Sequence, residues 1–388
     1  MRYIGNKTRL LDFIGRVLDD LRIEGGRAFD AFSGTASVGA FLKRRHFAVS
    51  SCDLMTYSLV FQKAYIELDE VPSYTRILCE EPDLRLLRDQ TAFARKLDEQ
   101  FGLQGNLFDH LATERDGLHQ VLIYLNHFLE PISSFVTRQY SQGERAEPND
   151  RMFFSRANAE RIDAVRTRIH KWRVAELLGD DEYFLLLACL LEAADAVANT
   201  TGVYAAFVKS WQSNALRPLR FSVPELVVRT ALKCRAIQGD VSEVIAQVGE
   251  LDLLYLDPPY NTRQYSSYYH VPELIAKGWF DGEPEVRGKT GLIADADKKS
   301  RWSTRRGCIA ALQDLVTSAK TKHILMSYNS EGIIPESDIE RIFTKFGNAS
   351  TYRVFSLDYD RYRSDSDHEQ RQYSADRVTE KLYYVAAR

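Results

Sequence analysis

The apolar run Leu251-Asp252-Leu253-Leu254-Tyr255-Leu256 leads without a spacer into Asp257-Pro258-Pro259-Tyr260. A short, almost continuous apolar run closed by prolines reads as a strand buried on both faces of a sheet. The two prolines fix φ and carry no N–H, so the strand has to end in a stiff turn. That turn presents acceptors, the Asp257 carboxylate and backbone carbonyls, beside the ring of Tyr260. Such a strip at the end of a buried strand suits a flat ligand that carries an amine, and a nucleobase is the first candidate.

The pattern upstream supplies a sheet for this strand. Residues 6 to 21 carry Leu10, Ile14, Val17, Leu18 and Leu21 at helical spacing. Arg27 to Phe32 reads as a strand, Ser33 to Gly39 as a small-residue turn opening a helix through Arg45, and Phe47 to Cys52 as a strand ending at Asp53. Strand, turn, helix, strand is the opening unit of a doubly wound α/β fold. After about residue 70 the rhythm stops, and Pro72 to about Arg235 is polar and mostly helical, with Leu118 to Tyr140 and Tyr183 to Asn199 its clearest apolar helices. The pattern resumes at Ala236. It continues through Leu251–Leu256, a helix near Cys308 to Ala319, and strands at His323–Ser327, Tyr352–Leu357 and Lys381–Val385. The expected organisation is an α/β domain, 1–70 with 236–388, interrupted by a helical insert over 71–235.

Length and composition bound the rest. The chain has 388 residues with 45% hydrophobic residues, enough for a sizeable core. The N-terminus, Met1-Arg2-Tyr3-Ile4-Gly5-Asn6-Lys7, has no apolar signal region, and no stretch nears the roughly 18 to 20 apolar residues of a membrane span. The five cysteines are scattered and the eight histidines form no HExxH, which predicts reduced thiols, a cytoplasmic setting and no structural metal. Net charge is −3, but charge is uneven: Val208 to Arg235 holds six basic residues against Glu225, and Lys298 to Lys322 holds seven against Asp314. Two basic patches in a slightly acidic chain fit a phosphate-binding face, with Lys209, Arg217 and Arg220 as candidate phosphate contacts, or else solvated helix faces.

The turn at Ser33–Gly39 is a poor dinucleotide fingerprint, because Gly34 and Gly39 are five apart and position 36 is alanine. It still allows a ligand close to the backbone. Asp53, 19 residues past Gly34 at a strand end, can accept both hydroxyls of a ribose, or cap a helix. Asp240 after Gly239 can accept from an adenine amine, or serve as a turn carboxylate. Gly288-Lys289-Thr290 resembles a P-loop end, but Glu283 stands where its first glycine should be. A nucleoside without phosphates, S-adenosylmethionine, is the better guess, with Lys7 as counter-ion to its carboxylate.

Taken together, Tyr3-Ile4-Gly5-Asn6-Lys7, Phe29-Asp30-Ala31-Phe32-Ser33-Gly34-Thr35, Asp53 and Asp257-Pro258-Pro259-Tyr260 resemble the Dam-type, α-group bacterial N6-adenine DNA methyltransferases. The order also matches: cofactor motifs, then an inserted target-recognition domain, then the catalytic motif. The resemblance implies a Rossmann-like S-adenosylmethionine-dependent fold. It implies that Tyr3 and Lys7 bind the methionine end, that Phe32, Ser33 and Gly34 line the pocket, that Asp53 holds the ribose, and that Asp240 meets the cofactor adenine. Asp257, Pro258, Pro259 and Tyr260 would serve the target adenine, flanked by Asn261 and Arg263. Ser327-Tyr328-Asn329 resembles a late motif at the active-site wall, and Arg361-Tyr362-Arg363 a DNA-contacting loop. Ala36 departs from the family's glycine, which is tolerable if its φ is negative.

The resemblance implies transfer of a methyl group to the N6 amine of an adenine flipped from double-stranded DNA, in a monomer or weak dimer. A restriction-modification or defence setting follows, with a cognate restriction endonuclease as partner. The adenine amine is a poor nucleophile, and acceptors on both its hydrogens, the Asp257 carboxylate and the Pro258 carbonyl, would expose its lone pair. Stacking on Tyr260, worth roughly 1–3 kcal/mol, would offset the few kcal/mol of extrusion. His270 reads as a packed histidine rather than a base. The alternatives are an N4-cytosine or RNA adenine methyltransferase and, from another class, a nicotinamide oxidoreductase, which the missing GxGxxG disfavours.

Overall fold

The structure is a computed structural model that describes residues 1–2, 7–84, 117–143, 147, 150–228, 232–293, 298–360 and 377–388. Tyr3, Arg361 and Arg363 lie outside the described residues, as do Arg229 of the first basic patch and most of Glu144–Asp150.

The first α/β unit forms as the pattern requires: α1 Leu11–Asp20, β1 Gly26–Asp30, α2 Ser37–Arg44, β2 Phe47–Asp53 and α3 Thr56–Gln62. Then come helices α4 Thr75–Glu80, α5 Gly117–His127, α6 Phe135–Tyr140, α7 Arg156–Val174 and α8 Asp180–Ala196. The sheet resumes with β3 Arg235–Gln238, α9 Val241–Val248, β4 Leu251–Leu256, α10 Tyr265–Tyr268 and α11 His270–Lys277. A small hairpin, β5 Val286–Arg287 and β6 Leu292–Ile293, precedes α12 Arg305–Ser318, β7 Thr321–Asn329, α13 Glu336–Phe346, β8 Arg353–Asp360 and β9 Arg377–Ala386. Gly288 to Gly291 is the turn of that hairpin, not a phosphate loop.

The seven-stranded sheet has the order β3-β2-β1-β4-β7-β9-β8. Pairing is parallel from β3 to β7 and antiparallel from β7 through β9 to β8. Successive strand residues face opposite layers. Ala28, Leu253 and Leu325 join one apolar cluster, while Phe29, Leu254 and Ile324 join the other. Both faces of β4 are therefore covered, which is why its sequence is nearly continuous in apolar residues. The second cluster is closed by α9, α12 and α13 through Val244, Leu312 and Phe343.

The helices of the middle segment share the first cluster with the sheet: Leu122, Val165 and Leu186 sit in the same apolar body as Leu18, Val49 and Leu274. Polar ties cross the same junction. Arg2 donates from its backbone and guanidinium to Asp195, and to the carbonyls of Ala198 and Thr200 at the end of α8. Arg166 of α7 is 1% exposed and donates to the carbonyls of Ile275, Ala276 and Lys277, so one guanidinium caps the C-terminus of α11.

Two readings of local structure need correction. The apolar stretch 118–140 is two helices, because Pro131 after Glu130 cannot continue a helix. Ala36, tolerable in place of glycine on the condition of a negative φ, does not meet it: φ is 64° and ψ 13° at the start of α2. A left-handed alanine costs roughly 1–2 kcal/mol, and its fully buried methyl returns about 0.8 kcal/mol of that.

Replacing Arg166 by methionine keeps volume but strips the α11 carbonyls of their donor. Arg166→Met is expected to lower stability by about 1–3 kcal/mol, read as a shifted midpoint in urea unfolding. An unchanged midpoint would show that solvent satisfies those carbonyls equally well.

Candidate active site

The strand order reverses between β1 and β4, so the chain leaves their adjacent carboxyl ends in opposite directions and opens a crevice there. Asp30, the last residue of β1, pairs in register with Tyr255, and Asp257 follows one residue after β4. Two adjoining cavities fill the crevice, of about 730 and 280 Å³ including their open mouths, and both are lined by Phe32 and Asp257.

The larger cavity is lined by Asp53, Asp240, Pro259, Tyr260 and Tyr265 among others. Asp53 accepts from the backbone N–H of Gly34 and of Met55, both at 2.9 Å, and burial raises its pKa. The Asp53 carboxylate is thereby oriented, with lone pairs left over. Asp240 caps α9, accepting from the Ser242 N–H at 2.9 Å. Phe32 meets Trp302 edge-to-face, with centroids 4.8 Å apart. Lys298 closes one edge by donating to the Leu54 carbonyl, and Gln264 exchanges two hydrogen bonds with the Ser300 backbone.

The smaller cavity is lined by Lys7, Asp30, Ser33 and Gly34 among others. Asp30 is 1% exposed, and among the described residues neither of its carboxylate oxygens accepts a well-formed hydrogen bond; the Ser33 hydroxyl and the Phe32 and Gly39 backbones are its polar neighbours, and the hydroxyl has no well-formed bond either. Burial, chiefly, pushes the Asp30 carboxyl up to about 7. A bare carboxylate aimed into a cavity is a site for a cationic group.

The Pro-Pro turn is braced from behind. The Tyr328 hydroxyl donates to the Pro259 carbonyl at 3.2 Å, and the Ile333 N–H to the Tyr260 carbonyl at 3.1 Å. The Tyr260 hydroxyl donates to Asp257 at 2.5 Å and also bonds the Lys7 ammonium. Lys7 lies 3.2 Å from Asp257 and 2.5 Å from Glu380. Burial pushes Asp257 up to about 7, Lys7 acting against this and Glu380 with it. Lys7 thus lines the smaller cavity, but its three N–H groups already face protein acceptors. The ring of Tyr260 is largely buried, and the Lys7 ammonium sits at its hydroxyl end, 4.5 Å from the centroid.

The remaining expected residues fall outside these cavities. Asn261 accepts from the Arg263 N–H in a local turn, and Arg263 lies exposed over Tyr268. Lys209, Arg217 and Arg220 are exposed on the segment after α8. His270 is buried between the carbonyls of Ser267 and Thr290, a packed residue. The sequence pattern gives no role to Asp30, Trp302, Gln264 or Glu380, and places Lys298 in a basic patch, not at the cavity edge where it stands. Asp30 carried a signal, an acid in the last position of a buried strand; Glu380 carried only that of an acid in an apolar strand.

Asp30 offers a test of the smaller cavity. Its raised folded pKa means that it stabilises the fold below about pH 4, and that this stability is lost as pH rises through about 7. Asp30→Asn is expected to raise stability at pH 8 by up to a few kcal/mol, with little gain at pH 4, while weakening ligand binding. Denaturant melts at both pH values read the first part, and equal gains at both would contradict it.

The family model described as D12 class N6 adenine-specific DNA methyltransferase matches residues 3–342. The chain is 31% identical over 388 residues to type II methyltransferase M.FokI of Planomicrobium okeanokoites, covering 99% of this chain and 52% of that protein. It is 27% identical over 386 residues to modification methylase StsI of Streptococcus sanguinis, again covering 52% of the relative. Against type II methyltransferase M.NlaIII of Neisseria lactamica it is 30% identical over 388 residues, 99% of each chain. The chain thus spans about half the length of the first two relatives and nearly all of the third. It belongs to the D12 class N6 adenine-specific DNA methyltransferase family.

Proposed function

We propose that this chain transfers a methyl group from S-adenosylmethionine to the N6 amine of an adenine drawn out of double-stranded DNA. The observation that carries the reading is a carboxylate, Asp257, standing where two cavities meet at the switch point of the sheet and open to both.

The cavities fit the cofactor. The orphaned Asp30 carboxylate and Ser33 hydroxyl suit the amino group of its methionine part. Asp53, Asp240 and the Phe32–Trp302 pair suit a ribose, an exocyclic amine and a ring in the larger cavity. When bound, S-adenosylmethionine supplies an electrophilic methyl group on a sulfonium. The protein's part is to hold the target amine in line with that methyl and to expose its lone pair. Asp257 accepts one amine hydrogen and the Pro258 carbonyl the other, from a turn fixed by two prolines and by Tyr328. Asp257 then takes the surplus proton or passes it to solvent. Tyr260 and Tyr265 flank the extruded base, while Asn261 and Arg263, outside the cavities, are proposed contacts to the surrounding DNA.

The middle segment, 71–235, is proposed as the target-recognition part, with Lys209, Arg217 and Arg220 on phosphates. The names of the relatives support a restriction-modification setting, with a cognate endonuclease as partner. Family membership sets the nicotinamide alternative aside.

Asp257→Ala is expected to abolish methyl transfer with cofactor affinity retained, while Asp53→Ala weakens cofactor binding first. Titration calorimetry and labelled-methyl transfer separate the two, and turnover by Asp257→Ala comparable to the parent would refute the catalytic assignment. Replacing Lys209, Arg217 and Arg220 together by alanine should weaken DNA binding and reduce the slope of log K against log salt by roughly 0.9 per lost phosphate contact. An unchanged slope excludes that surface.

A further inference from the structure

Glu380 has no part in the reaction as described, yet it is the nearest carboxylate to Lys7. It stands on β9, a strand paired on both sides, opposite Asn329 of β7 and Leu357 of β8. It is 1% exposed. One oxygen, Oε1, lies 2.5 Å from the Lys7 ammonium, accepts from the Ser327 hydroxyl at 2.8 Å, and lies 3.3 Å from the Tyr260 hydroxyl. Asp257 is farther from the same ammonium, at 3.2 Å. Two carboxylates therefore share one buried lysine: Glu380 on its enclosed side and Asp257, 14% exposed, on the side of the cavities.

We infer that Glu380 is a positioning residue of the methyl-transfer site: it takes up the charge of Lys7, so that the Asp257 carboxylate keeps its acceptor strength for the substrate amine. The inference rests on the reading that Asp257 accepts from that amine. With one carboxylate and one ammonium enclosed, the lysine would draw Asp257 into a closed ion pair and hold its lone pairs. The second carboxylate leaves the cluster with a formal charge of −1. That sign favours a cationic donor in the neighbouring cavity. Ser327 fixes Glu380, and the single hydroxyl proton of Tyr260 goes to the closer Asp257, which orients the remaining Asp257 lone pairs.

The pH dependence follows from the groups that face Asp257. These are Lys7 from the N-terminal segment, Glu380 from β9, Asp30 from β1, Tyr255 from β4, Ser327 and Tyr328 from β7, and Tyr260 and Tyr265 from the turn and α10. Burial raises Tyr255, Tyr265 and Tyr328, so they stay neutral near pH 7. Lys7 lowers the Asp257 pKa and Glu380 raises it. Neutralising these two partners must therefore move the acid limb of activity in opposite directions. Asp30 titrates in the same range, so Asp30→Asn serves as the control for its contribution.

The experiment is single-turnover transfer of labelled methyl groups to unmethylated bacterial DNA across pH 5 to about 9, with S-adenosylmethionine affinity measured alongside. Glu380→Gln should move the acid limb down by about one pH unit and slow the plateau roughly tenfold or more, with cofactor affinity held; Lys7→Met should move the limb up. A limb that stays put or rises in Glu380→Gln overturns the inference. If Glu380→Gln is inactive at every pH or does not fold, the double variant Lys7→Met/Glu380→Gln decides, because it removes both charges together. Turnover in the double variant at least roughly tenfold above Glu380→Gln supports the role, and a folded double variant without that gain overturns it. Turnover by Asp257→Ala at the parent rate would instead bring down the reading of the site itself, whereas an inactive Asp257→Ala beside an unmoved limb in Glu380→Gln brings down only the role of Glu380.

Discussion

Two carboxylates around one buried ammonium are the point on which this structure turns. Lys7, Asp257 and Glu380 come from the start, the middle and the end of the chain, and the sheet order β1-β4-β7-β9 brings their elements together. Burying three ions is unfavourable unless each finds its partners, and removing one leaves the others uncompensated. The surroundings therefore have to be rigid. They are: Tyr328 holds the Pro259 carbonyl, the Ile333 N–H holds the Tyr260 carbonyl, and Ser327 holds Glu380. The prolines do the same from within the turn, by fixing φ.

The neighbouring cavity departs from ordinary packing in a way that fits binding. Asp30 is buried with both oxygens unpartnered, and Ala36 is held left-handed one turn away. A fold optimised for stability alone would repair both. A bare carboxylate destabilises the free protein at neutral pH and becomes useful only when a cation arrives. The left-handed alanine keeps the chain close to the cavity floor at the start of α2, where a glycine would do so without strain.

The middle helices share their apolar body with one face of the sheet rather than forming a core of their own. Arg166 caps α11, the second helix after the Pro-Pro turn, and Arg2 is tied to the end of α8. A segment proposed to grip DNA is thus packed on the sheet and tied to α11 and to Arg2. Movement in the one strains the other, since packed interiors do not deform freely.

The sequence by itself determined the α/β class, the place of β4, and the residues Asp53, Asp240 and Asp257 around the crevice, because period, turn chemistry and prolines act within a few residues. The family resemblance, carried by motifs at 3–7, 29–35, 53 and 257–260, agrees with the family match over residues 3–342. The break before α6 is legible in Pro131, whereas an isolated alanine at position 36 does not declare the sign of its φ. Only the tertiary structure decided that Glu380 meets Lys7 across 373 residues, that Lys7 faces two carboxylates, and that Asp30 is left without a partner. Those facts depend on strand order and burial, and electrostatics at a buried site is fixed by which charges end up sharing a volume, not by which lie near one another along the chain.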